Sequence, residues 1–538
     1  MSNPFRCNNS YVGALLTDYY QITMAYAYWK LGKHNDPSVF DLLFRKNPFN
    51  GEFTVFAGLG SAMRYLQEFR FSDDDIAYLK SIMLNQRDDL DSAFFDWLKN
   101  TTLRDVKVYA VDEGTVSFPY VPLLRVEGPL AICQLLETTL LNLVNFASLV
   151  TTNAVRYRLA AGPDKRLLEF GLRRAQGPDG AMAASRYAYL GGFDATSNVK
   201  ASQVFNIKPS GTHAHSFITS FRSTSDLKST LLFNKNTNRA ENFLEAVLQK
   251  KKQLSIRESH EGELAAFVGY AIAWPNSFLA LVDTYNTLKS GVPNYVTVAL
   301  TLIQFGYAPL GVRLDSGDLA YLSKEARTYI STVSQRMNEP KLSQTFIVAS
   351  NEIDESTLLS FNQQEHEIDA FGIGTNLITC QNQTSLGGIY KLVMINNLPC
   401  LKVSQDISKI SIPGRKDTYR FFDAQNRPLL DLMCESTQPP PQVGDKIMCR
   451  HPFQETMRTF VIPHKIQLLH KLVWDGGLVL DLPHQEHIRS YIQSQITSLR
   501  KDHIRFLNPT PYKVSLSERL YHTFHTLWLA ESSVSCIQ

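Results

Sequence analysis

The chain has 538 residues, of which 44% are hydrophobic and 20% are charged. These proportions are typical of a folded globular protein, so they exclude a disordered or fibrous chain. At about 150 residues per domain, the length predicts two to four domains. The formal net charge is +3, from 54 Lys and Arg against 51 Asp and Glu. Such a balanced chain is not expected to bind nucleic acid by general phosphate attraction.

The cysteines and the first residues favour a cytosolic protein. The seven cysteines are widely spaced and form no C-x-x-C pair, which is unlike a disulfide framework or a structural zinc site. The first 25 residues lack an unbroken apolar core and a small-residue cleavage site, so we expect no signal peptide. The most apolar window, 264–282, has Trp274-Pro275 near its centre. We interpret this window as a buried helix, a turn and a buried strand rather than a membrane span.

Short alternating stretches dominate the first part of the chain. Apolar and polar residues alternate within 38–44 and 106–111, a pattern that favours half-buried antiparallel strands over residues 36–130. Residues 135–161 then predict one long helix with an apolar stripe. We assign residues 1–134 to an N-terminal α/β segment of one domain.

The middle of the chain repeats one unit. Apolar runs end abruptly in polar residues or glycine at Asp283, Asp315, Ser350 and Gly374, and each interval leaves room for a helix and a return loop. This spacing is typical of βα units in a parallel sheet. Polar residues at the carboxyl ends of such strands place the chemistry at one rim. A β/α barrel and a doubly wound open sheet both have this property, so the rhythm leaves both open.

The domain boundaries follow from these patterns. We assign 135–390 to the βα domain, with a polar insertion at 222–262 that we interpret as a surface loop. Residues 391–460 again contain strand-like stretches and are expected to return to the first domain. Residues 461–538 form a C-terminal segment without a motif of known chemistry.

Two motifs at predicted strand ends could bind phosphate. The Gly-Ile-Gly-Thr sequence at 372–375 would let backbone N–H groups approach an anion, and a simple tight turn is the alternative. Ser350 and Asn351 would add donors at the same rim one unit earlier. The anion-binding interpretation therefore draws on two neighbouring strand ends.

The segment 313–318 combines a cation with two carboxylates around a glycine turn. Arg313, Asp315 and Asp318 could bind a diphosphate through Mg²⁺, which prefers a few carboxylates together with substrate phosphates. A turn that caps the next helix is the alternative. Capping does not explain an arginine two residues inside the strand, so we favour the binding site.

An aromatic ring and two arginines follow another predicted strand. Phe170 lies beside Arg173 and Arg174 in the segment EFGLRR at 169–174. Arginine pairs with carboxylate or phosphate, and a phenylalanine ring can stack on a flat ring. Surface arginines without a ligand are the alternative.

Two histidines stand two residues apart in the segment GTHAHSF at 211–217. On a strand, His213 and His215 would share a face, which could suit a metal ion. Because no third His or Cys lies close by in the sequence, a metal site is the weakest interpretation. A structural histidine is the second, and we favour a catalytic or phosphoryl-accepting histidine.

The chain resembles the nicotinate phosphoribosyltransferases of the dimeric eukaryotic and bacterial type. The matching segments follow the family's order and span most of residues 12–460. They are LLTDYYQITMAY (15–26), ETTLLNLVNFASLVTTNAVR (137–156), LLEFGLRRAQGPDG (167–180), YLGGFDATSN (189–198), GTHAHSF (211–217), GVRLDSGDL (311–319), FGIGTNLIT (371–379) and SLGGIYKLV (385–393).

The resemblance implies an α/β fold in which an incomplete β/α barrel, as in type II phosphoribosyltransferases, is joined to an α+β sandwich domain. The sandwich would be built from the N-terminal and post-barrel segments. The family reaction condenses nicotinate with 5-phosphoribosyl-1-diphosphate to nicotinate mononucleotide and diphosphate, with ATP hydrolysis coupled through a phosphohistidine. This reaction is the first step of NAD synthesis from nicotinate. The resemblance further implies Mg²⁺ or Mn²⁺ as cofactor and a cytosolic, head-to-tail homodimer with shared active sites and no nucleic-acid or membrane partner.

The resemblance also implies residue roles. His215 would be phosphorylated by ATP, and the catalytic Asp283 and Asp315 would orient Mg²⁺ through water and diphosphate. Nicotinate would be bound by Tyr20 of the partner subunit and by Phe170, Arg173, Thr212 and Arg313. Phosphoribosyl diphosphate would be bound by Asp318, Ser350, Asn351, Gly374 and Thr375.

One position bears on the choice of substrate. A nicotinamide-specific relative would be expected to carry an acidic residue near the carboxamide, whereas this chain has the neutral Ser197, which favours the acid. The alternatives are a related phosphoribosyltransferase that uses nicotinamide or quinolinate, and a barrel that has lost catalysis. The intact His215, Arg313, Asp315 and Thr375 argue against a loss of catalysis.

Overall fold

The computed structural model describes residues 9–85, 89–404 and 406–532. Its strands are β1 (Pro37–Phe44), β2 (Thr54–Val55), β3 (Lys107–Ala110), β4 (Val116–Ser117), β5 (Leu124–Pro129), β6 (Arg166–Glu169), β7 (Ala195–Thr196), β8 (Leu231–Asn234), β9 (Arg239–Asn242), β10 (Leu279–Leu281), β11 (Gly311–Leu314), β12 (Phe346–Asn351), β13 (Ala370–Ile373), β14 (Gly388–Ile395), β15 (Leu398–Pro399), β16 (Lys416–Phe422), β17 (Pro428–Glu435), β18 (Ile447–Arg450), β19 (Arg458–Val461), β20 (Lys465–Leu468), β21 (Lys471–Asp475) and β22 (Lys513–Leu516).

The α-helices are α1 (Tyr19–Lys30), α2 (Leu59–Glu68), α3 (Asp73–Leu84), α4 (Ser92–Lys99), α5 (Leu130–Leu135), α6 (Glu137–Ala161), α7 (Gly177–Leu190), α8 (Val199–Phe205), α9 (His215–Thr219), α10 (Phe243–Gln253), α11 (Glu261–Ala273), α12 (Val292–Gln304), α13 (Leu319–Arg336), α14 (Pro340–Ser343), α15 (Glu355–Gln363), α16 (Thr375–Ile378), α17 (Gln485–Ser498), α18 (Lys501–Ile504) and α19 (Glu518–Glu531). Short 3₁₀ turns lie at Leu172–Arg174, Thr224–Asp226 and Ile407–Lys409, and a π-helical turn lies at Thr287–Gly291.

The chain divides into two compact units. The barrel unit is the continuous stretch Ala154–Gln381, and the two-sheet unit combines the described residues up to Asn153 with those from Asn382 onward. The sequence analysis drew the edges of the barrel domain at 135 and 390. The structure places the first edge inside α6, between Asn153 and Ala154, and the second between Gln381 and Asn382. Strand β14, which pairs with β1, therefore belongs to the two-sheet unit.

The strand order of the barrel unit decides between the two architectures that the sequence rhythm left open. Its strands are paired in the order β10-β11-β12-β13-β6-β7, and every pair is parallel. The last strand of this sheet in chain order, β13, therefore pairs with the first, β6. A doubly wound sheet reverses its strand order at one strand. In this sheet the strands follow one another in chain order without a reversal, as they do around a barrel. The predicted incomplete β/α barrel is confirmed, and its opening lies between β7 and β10.

The barrel strands are short and apolar, as expected for parallel strands covered on both faces. Leu279, Val348 and Ala370 form a buried cluster, and the partly buried Leu168 packs against it. The apolar window 264–282 forms the end of α11, a turn and β10, as the sequence analysis predicted.

The polar insertion at 222–262 is a structured element, so its interpretation as a surface loop is wrong. Strands β8 and β9 form an antiparallel hairpin, and α10 follows them directly. Phe243 and Val247 are fully buried and lie on one helix face because they are four residues apart. These two apolar residues anchor a helix whose C-terminal half is polar, which hydrophobic content alone does not reveal.

The two-sheet unit contains two six-stranded sheets. Their strand orders are β15-β14-β1-β5-β3-β21 and β19-β18-β22-β17-β16-β20. The predicted antiparallel pairing is confirmed for the first sheet. The half-buried pattern is wrong for β1, where every residue except Pro37 is buried. Helix α5 contacts β1 and β5, while Asp41 of β1 reaches the second sheet, so both faces are covered.

Buried charges link the two sheets of this unit. The Lys416 Nζ of β16 donates to the Asp41 carboxylate of β1 at 2.5 Å, and both side chains are wholly buried. The Arg125 guanidinium of β5 donates to Asp417 at 2.8 Å and to the Lys416 carbonyl oxygen at 2.6 Å. Because buried charges are stable only when paired, these contacts fix how one sheet lies on the other.

The helical stretch Leu130–Ala161 is long and apolar enough to cross a membrane by length and composition. It contains α5 and α6, and 61% of its most apolar window is buried inside the protein. Core helices of soluble proteins have the same properties, so this stretch is weak support for a membrane span.

Candidate active site

Polar and aromatic side chains meet at the carboxyl rim of the barrel. Phe170 follows β6, Asp283 follows β10, Asp315 follows β11, Ser350 lies near the end of β12, and Thr375 follows β13. The sequence analysis predicted each of them as a site residue. Because the strands are parallel neighbours, these residues share one edge, which is where β/α barrels carry their chemistry.

Arg313, Asp315 and Ser350 form one hydrogen-bonded cluster. The Arg313 Nε donates to Ser350 Oγ at 2.7 Å, and its Nη2 donates to Asp315 Oδ1 at 2.8 Å. The Ser350 hydroxyl donates to the same carboxylate oxygen. Ser350 is buried, so its hydroxyl holds the guanidinium and the carboxylate in place. Its predicted role in binding phosphoribosyl diphosphate stays a prediction.

Phe170 lies beside this cluster. The Arg313 guanidinium carbon is 5.5 Å from the centroid of the Phe170 ring, within cation–π range. On the neighbouring strand, a Cβ atom at Gly372 would lie 2.5 Å from two carbons of this ring. Glycine is therefore required at 372, and the partly exposed ring and the cation together can receive a flat anionic ring.

We expect the substitution Gly372→Ala to displace the Phe170 ring and to raise the KM for a flat anionic substrate by about tenfold, or ~1.4 kcal/mol. Steady-state kinetics would measure it. The matched control is Gly180→Ala in α7, where the added Cβ would contact only Gln176 at 3.6 Å. An unchanged KM in Gly372→Ala would contradict the role of this ring.

His215 begins α9 and faces two carboxylates. Its Nε2 is 3.9 Å from Asp283 Oδ1 and 3.8 Å from Asp315 Oδ2, and its Nδ1 lies 3.1 Å from Thr284 Oγ1. The His215 side chain is 44% exposed, whereas that of Asp283 is 1% exposed. A solvent-accessible imidazole is thus held by two strand ends, as a reactive histidine requires.

His213 lies in a different environment, so the expectation that the two histidines share a face is wrong. His215 starts a helix, whereas His213 precedes it in irregular structure and is surrounded by the rings of Phe217, Phe267 and Tyr270. Burial lowers the pKa of His213 to about 4, so its ring is neutral at pH 7. The structural interpretation therefore fits His213.

Asp283 has one free carboxylate oxygen. Its Oδ2 accepts from the Asp315 N–H at 3.1 Å and from the Ser316 hydroxyl. Its Oδ1 is buried and has no hydrogen-bond partner among the described residues. A buried carboxylate oxygen of this kind can accept a hydrogen bond or bind a cation. Among the residues that the structure describes, no group of three or more His, Cys, Asp and Glu side chains could hold a metal ion by itself.

Glu169 was missed as a functional residue by the sequence analysis. Its carboxylate is buried and accepts hydrogen bonds from Ser185 Oγ at 2.8 Å, from Thr196 Oγ1 and from the Gly171 N–H. It thereby fixes the turn that carries Phe170. A charged residue at the end of an apolar strand was the available signal.

The remaining predicted residues of the barrel unit are dispersed around the rim. Arg173 is exposed in a 3₁₀ turn, and Asn351 is exposed at the end of β12. Asp318 caps α13 by accepting from the Tyr321 N–H at 3.0 Å, which agrees with the capping alternative. Gly374 precedes the short helix α16, which begins at Thr375.

Two further predicted nicotinate contacts differ in their surroundings. Thr212 Oγ1 is buried and lacks a hydrogen-bond partner within the described ranges, so it can donate to a ligand. Tyr20 belongs to the two-sheet unit, where it lies in α1 and is 46% exposed. Its predicted stacking role stays a prediction.

Comparison with known proteins assigns the family. Three sequence profiles match the chain: the nicotinate phosphoribosyltransferase N-terminal domain over residues 15–145, the family profile over 165–419 and the C-terminal domain over 415–524. A Caenorhabditis elegans nicotinate phosphoribosyltransferase is 51% identical over 541 residues, which cover 98% of this chain and 96% of the relative. The Homo sapiens protein of the same name is 42% identical over 527 residues, which cover 96% and 97%.

Comparison with solved structures supports the same family. The crystal structure of human nicotinic acid phosphoribosyltransferase matches with a TM-score of 0.85 at 41% identity, covering 95% of this chain and all of that chain. A nicotinate-nucleotide pyrophosphorylase from Pyrococcus furiosus matches with a TM-score of 0.60 at 20% identity, covering 91% and 97%, which supports the fold alone. With profiles over most of its length and relatives above 40% identity, this chain belongs to the nicotinate phosphoribosyltransferase family.

Proposed function

We propose that the protein condenses nicotinate with 5-phosphoribosyl-1-diphosphate, giving nicotinate mononucleotide and diphosphate, and that ATP drives the reaction through phosphorylation of His215. As a family member, the protein is a pentosyltransferase of NAD synthesis. The observation that carries the proposal is the group of Phe170, Arg313, Asp315 and His215 at one rim of the barrel.

The ring-binding side of the site follows from charge and shape. Nicotinate is a flat anion, so the face of Phe170 and the guanidinium of Arg313 complement its ring and its carboxylate. Thr212 Oγ1, which is buried without a partner in the described chain, supplies a donor. The neutral Ser197, whose N–H donates to the Glu169 carbonyl oxygen, adds no negative charge that would repel the acid. These features favour nicotinate over nicotinamide.

At the ribose, the pyridine nitrogen attacks the anomeric carbon as the bond to diphosphate breaks, and the sugar gains positive charge. Asp283 and Asp315 are well suited to this step because their carboxylates can stabilise that charge. The same oxygens fit Mg²⁺, which binds through one or two carboxylates together with substrate phosphates. When bound, Mg²⁺ would neutralise charge on the leaving diphosphate.

The surroundings of His215 select its reactive nitrogen. Two carboxylates face Nε2, and they favour a proton on that atom. The lone pair is then on Nδ1, beside Thr284 Oγ1. We therefore propose that the terminal phosphoryl group of ATP is transferred to Nδ1: the bond to ADP breaks, and the N–P bond forms.

We expect the substitution His215→Ala to abolish ³²P transfer from ATP and ATP stimulation, because the neighbouring His213 is enclosed by the rings of Phe217, Phe267 and Tyr270. Turnover without ATP should remain. Product formation from nicotinate and from nicotinamide, with and without ATP, measures both effects, and ³¹P NMR identifies the phosphorylated nitrogen. Equal or better use of nicotinamide would contradict the specificity, and unlabelled wild-type protein would contradict the ATP coupling.

The homodimer, the cytosolic location and the contribution of Tyr20 of the partner subunit are part of the same proposal. Their support is the family resemblance, together with the exposure of Tyr20 on α1. Sedimentation analysis of the purified protein tests the dimer.

A further inference from the structure

Glu263 is a wholly buried carboxyl group on an apolar helix. It lies in the first turn of α11, where Gly262 and all five residues of Leu264–Val268 are buried as well. Burial raises the pKa of Glu263 to about 7, hydrogen bonds from Ser290 and Asn294 oppose the rise, and the charge of Asp283 adds to it. Because a carboxyl group is costly to bury, its presence calls for a specific role.

The carboxyl group organises the π turn, Thr287–Gly291. Glu263 Oε2 accepts from Ser290 Oγ at 2.5 Å and from Asn294 Nδ2 at 2.9 Å. The same two side chains contact His260: Ser290 Oγ accepts from the His260 N–H at 2.8 Å, and Asn294 Nδ2 donates to the His260 carbonyl oxygen at 3.1 Å. The N-terminus of α11 is thereby joined to the π turn and to α12.

The π turn lies directly against the strand end that carries the reactive groups. A Cβ atom at Gly291 would lie 1.9 Å from the carbonyl oxygen of Val282, so backbone touches backbone there. Asp283 and Thr284 follow Val282, and both face His215. Single π-helical turns often mark functional sites, and a shift of this one would move both groups.

We propose that Glu263 is a positioning residue that, through Ser290 and Asn294, fixes the π turn so that Asp283 and Thr284 face His215. The proposal deepens the proposed function and rests on it for the role of His215. It concerns a side chain that does not touch the reacting atoms, so its signature is a loss of kcat without a change in substrate affinity.

The experiment compares Glu263→Leu with Glu263→Gln. Leucine offers Ser290 and Asn294 no acceptor, whereas glutamine keeps an oxygen for both. For Glu263→Leu we expect kcat to fall at least about tenfold and phosphohistidine formation to slow in parallel, with the KM for nicotinate within about twofold of the wild type. Glu263→Gln should retain kcat within about threefold.

The matched control is Val268→Ala, which shortens a buried apolar side chain of the same helix and removes none of the hydrogen bonds to Ser290 and Asn294. A kcat of Glu263→Leu within about twofold of this control would overturn the proposal, and so would equal losses in the Leu and Gln variants. If Glu263→Leu does not fold, Ser290→Ala replaces it, with an expected fall in kcat of about three- to tenfold at unchanged KM. If the wild type takes no phosphate from ATP, the ATP coupling fails, and kcat without ATP still decides the role of Glu263.

Discussion

Asp283→Asn should lower kcat/KM for phosphoribosyl transfer by about 10² to 10³-fold, or ~3–4 kcal/mol of transition-state stabilisation. The carboxylate is 1% exposed, and its Oδ1 has no hydrogen-bond partner in the described residues. Because water screens this carboxylate little, its negative charge interacts strongly with the positive charge that develops on the sugar. Asparagine has nearly the same shape and can keep the hydrogen bonds from Asp315 and Ser316, so the loss measures charge.

The measurement is initial-rate kinetics with both substrates varied, in the presence of Mg²⁺. The matched control is Asp164→Asn, which makes the same change at an exposed residue before the amino end of β6, on the opposite side of the barrel. We expect this control to retain wild-type kinetics. A comparable loss in both variants would show that Asp283 has no special role.

The largest effect on stability is expected from Lys416→Met. This change leaves the Asp41 carboxylate buried without its cation, which costs about 3–5 kcal/mol of unfolding free energy. Both side chains are wholly buried, and Asp41 Oδ1 already lacks a partner among the described residues.

The double substitution Asp41→Leu with Lys416→Met removes both charges. We expect it to be more stable than Lys416→Met alone, because buried ion pairs can be replaced by apolar side chains at little cost. Urea unfolding followed by tryptophan fluorescence, to which the buried Trp474 of β21 contributes, measures both free energies. A double variant as unstable as the sum of the two single variants would contradict the coupling.

Much of the barrel could be predicted from the sequence because its signal is local. Each strand is a short apolar run that ends at a polar residue, as at Asp283, Asp315 and Ser350. The strand order could not be predicted in this way, because the pairing of β13 with β6 depends on how residues about 200 positions apart meet. The apolar rhythm alone therefore did not distinguish the barrel from an open sheet; the family resemblance implied the barrel, and the strand order confirms it.

The structure shows which neighbours several of the predicted site residues contact, while their roles stay predictions. Ser350 and Asp318 carry the expected hydroxyl and carboxylate, yet both are used to hold neighbouring structure. Glu263 was missed because a glutamate in an apolar segment gives no motif. The position of Glu169 at the end of an apolar strand was a signal, but only tertiary packing shows which partners either residue contacts. His213 and His215 do not share a face because α9 begins at His215. A spacing of two residues predicts a shared face only on a strand, and it does not show where a helix begins.

The discontinuity of the two-sheet unit has a consequence for synthesis on the ribosome. Strand β1 leaves the ribosome early, but its partner β14 lies beyond the entire barrel unit. At roughly 5 to 20 residues per second, translation needs tens of seconds to reach β14. During that interval the continuous barrel sequence can fold, while the apolar β1 lacks one of its two neighbours. The nascent chain is therefore expected to expose this apolar strand, and to need a chaperone, until β14 has left the ribosome.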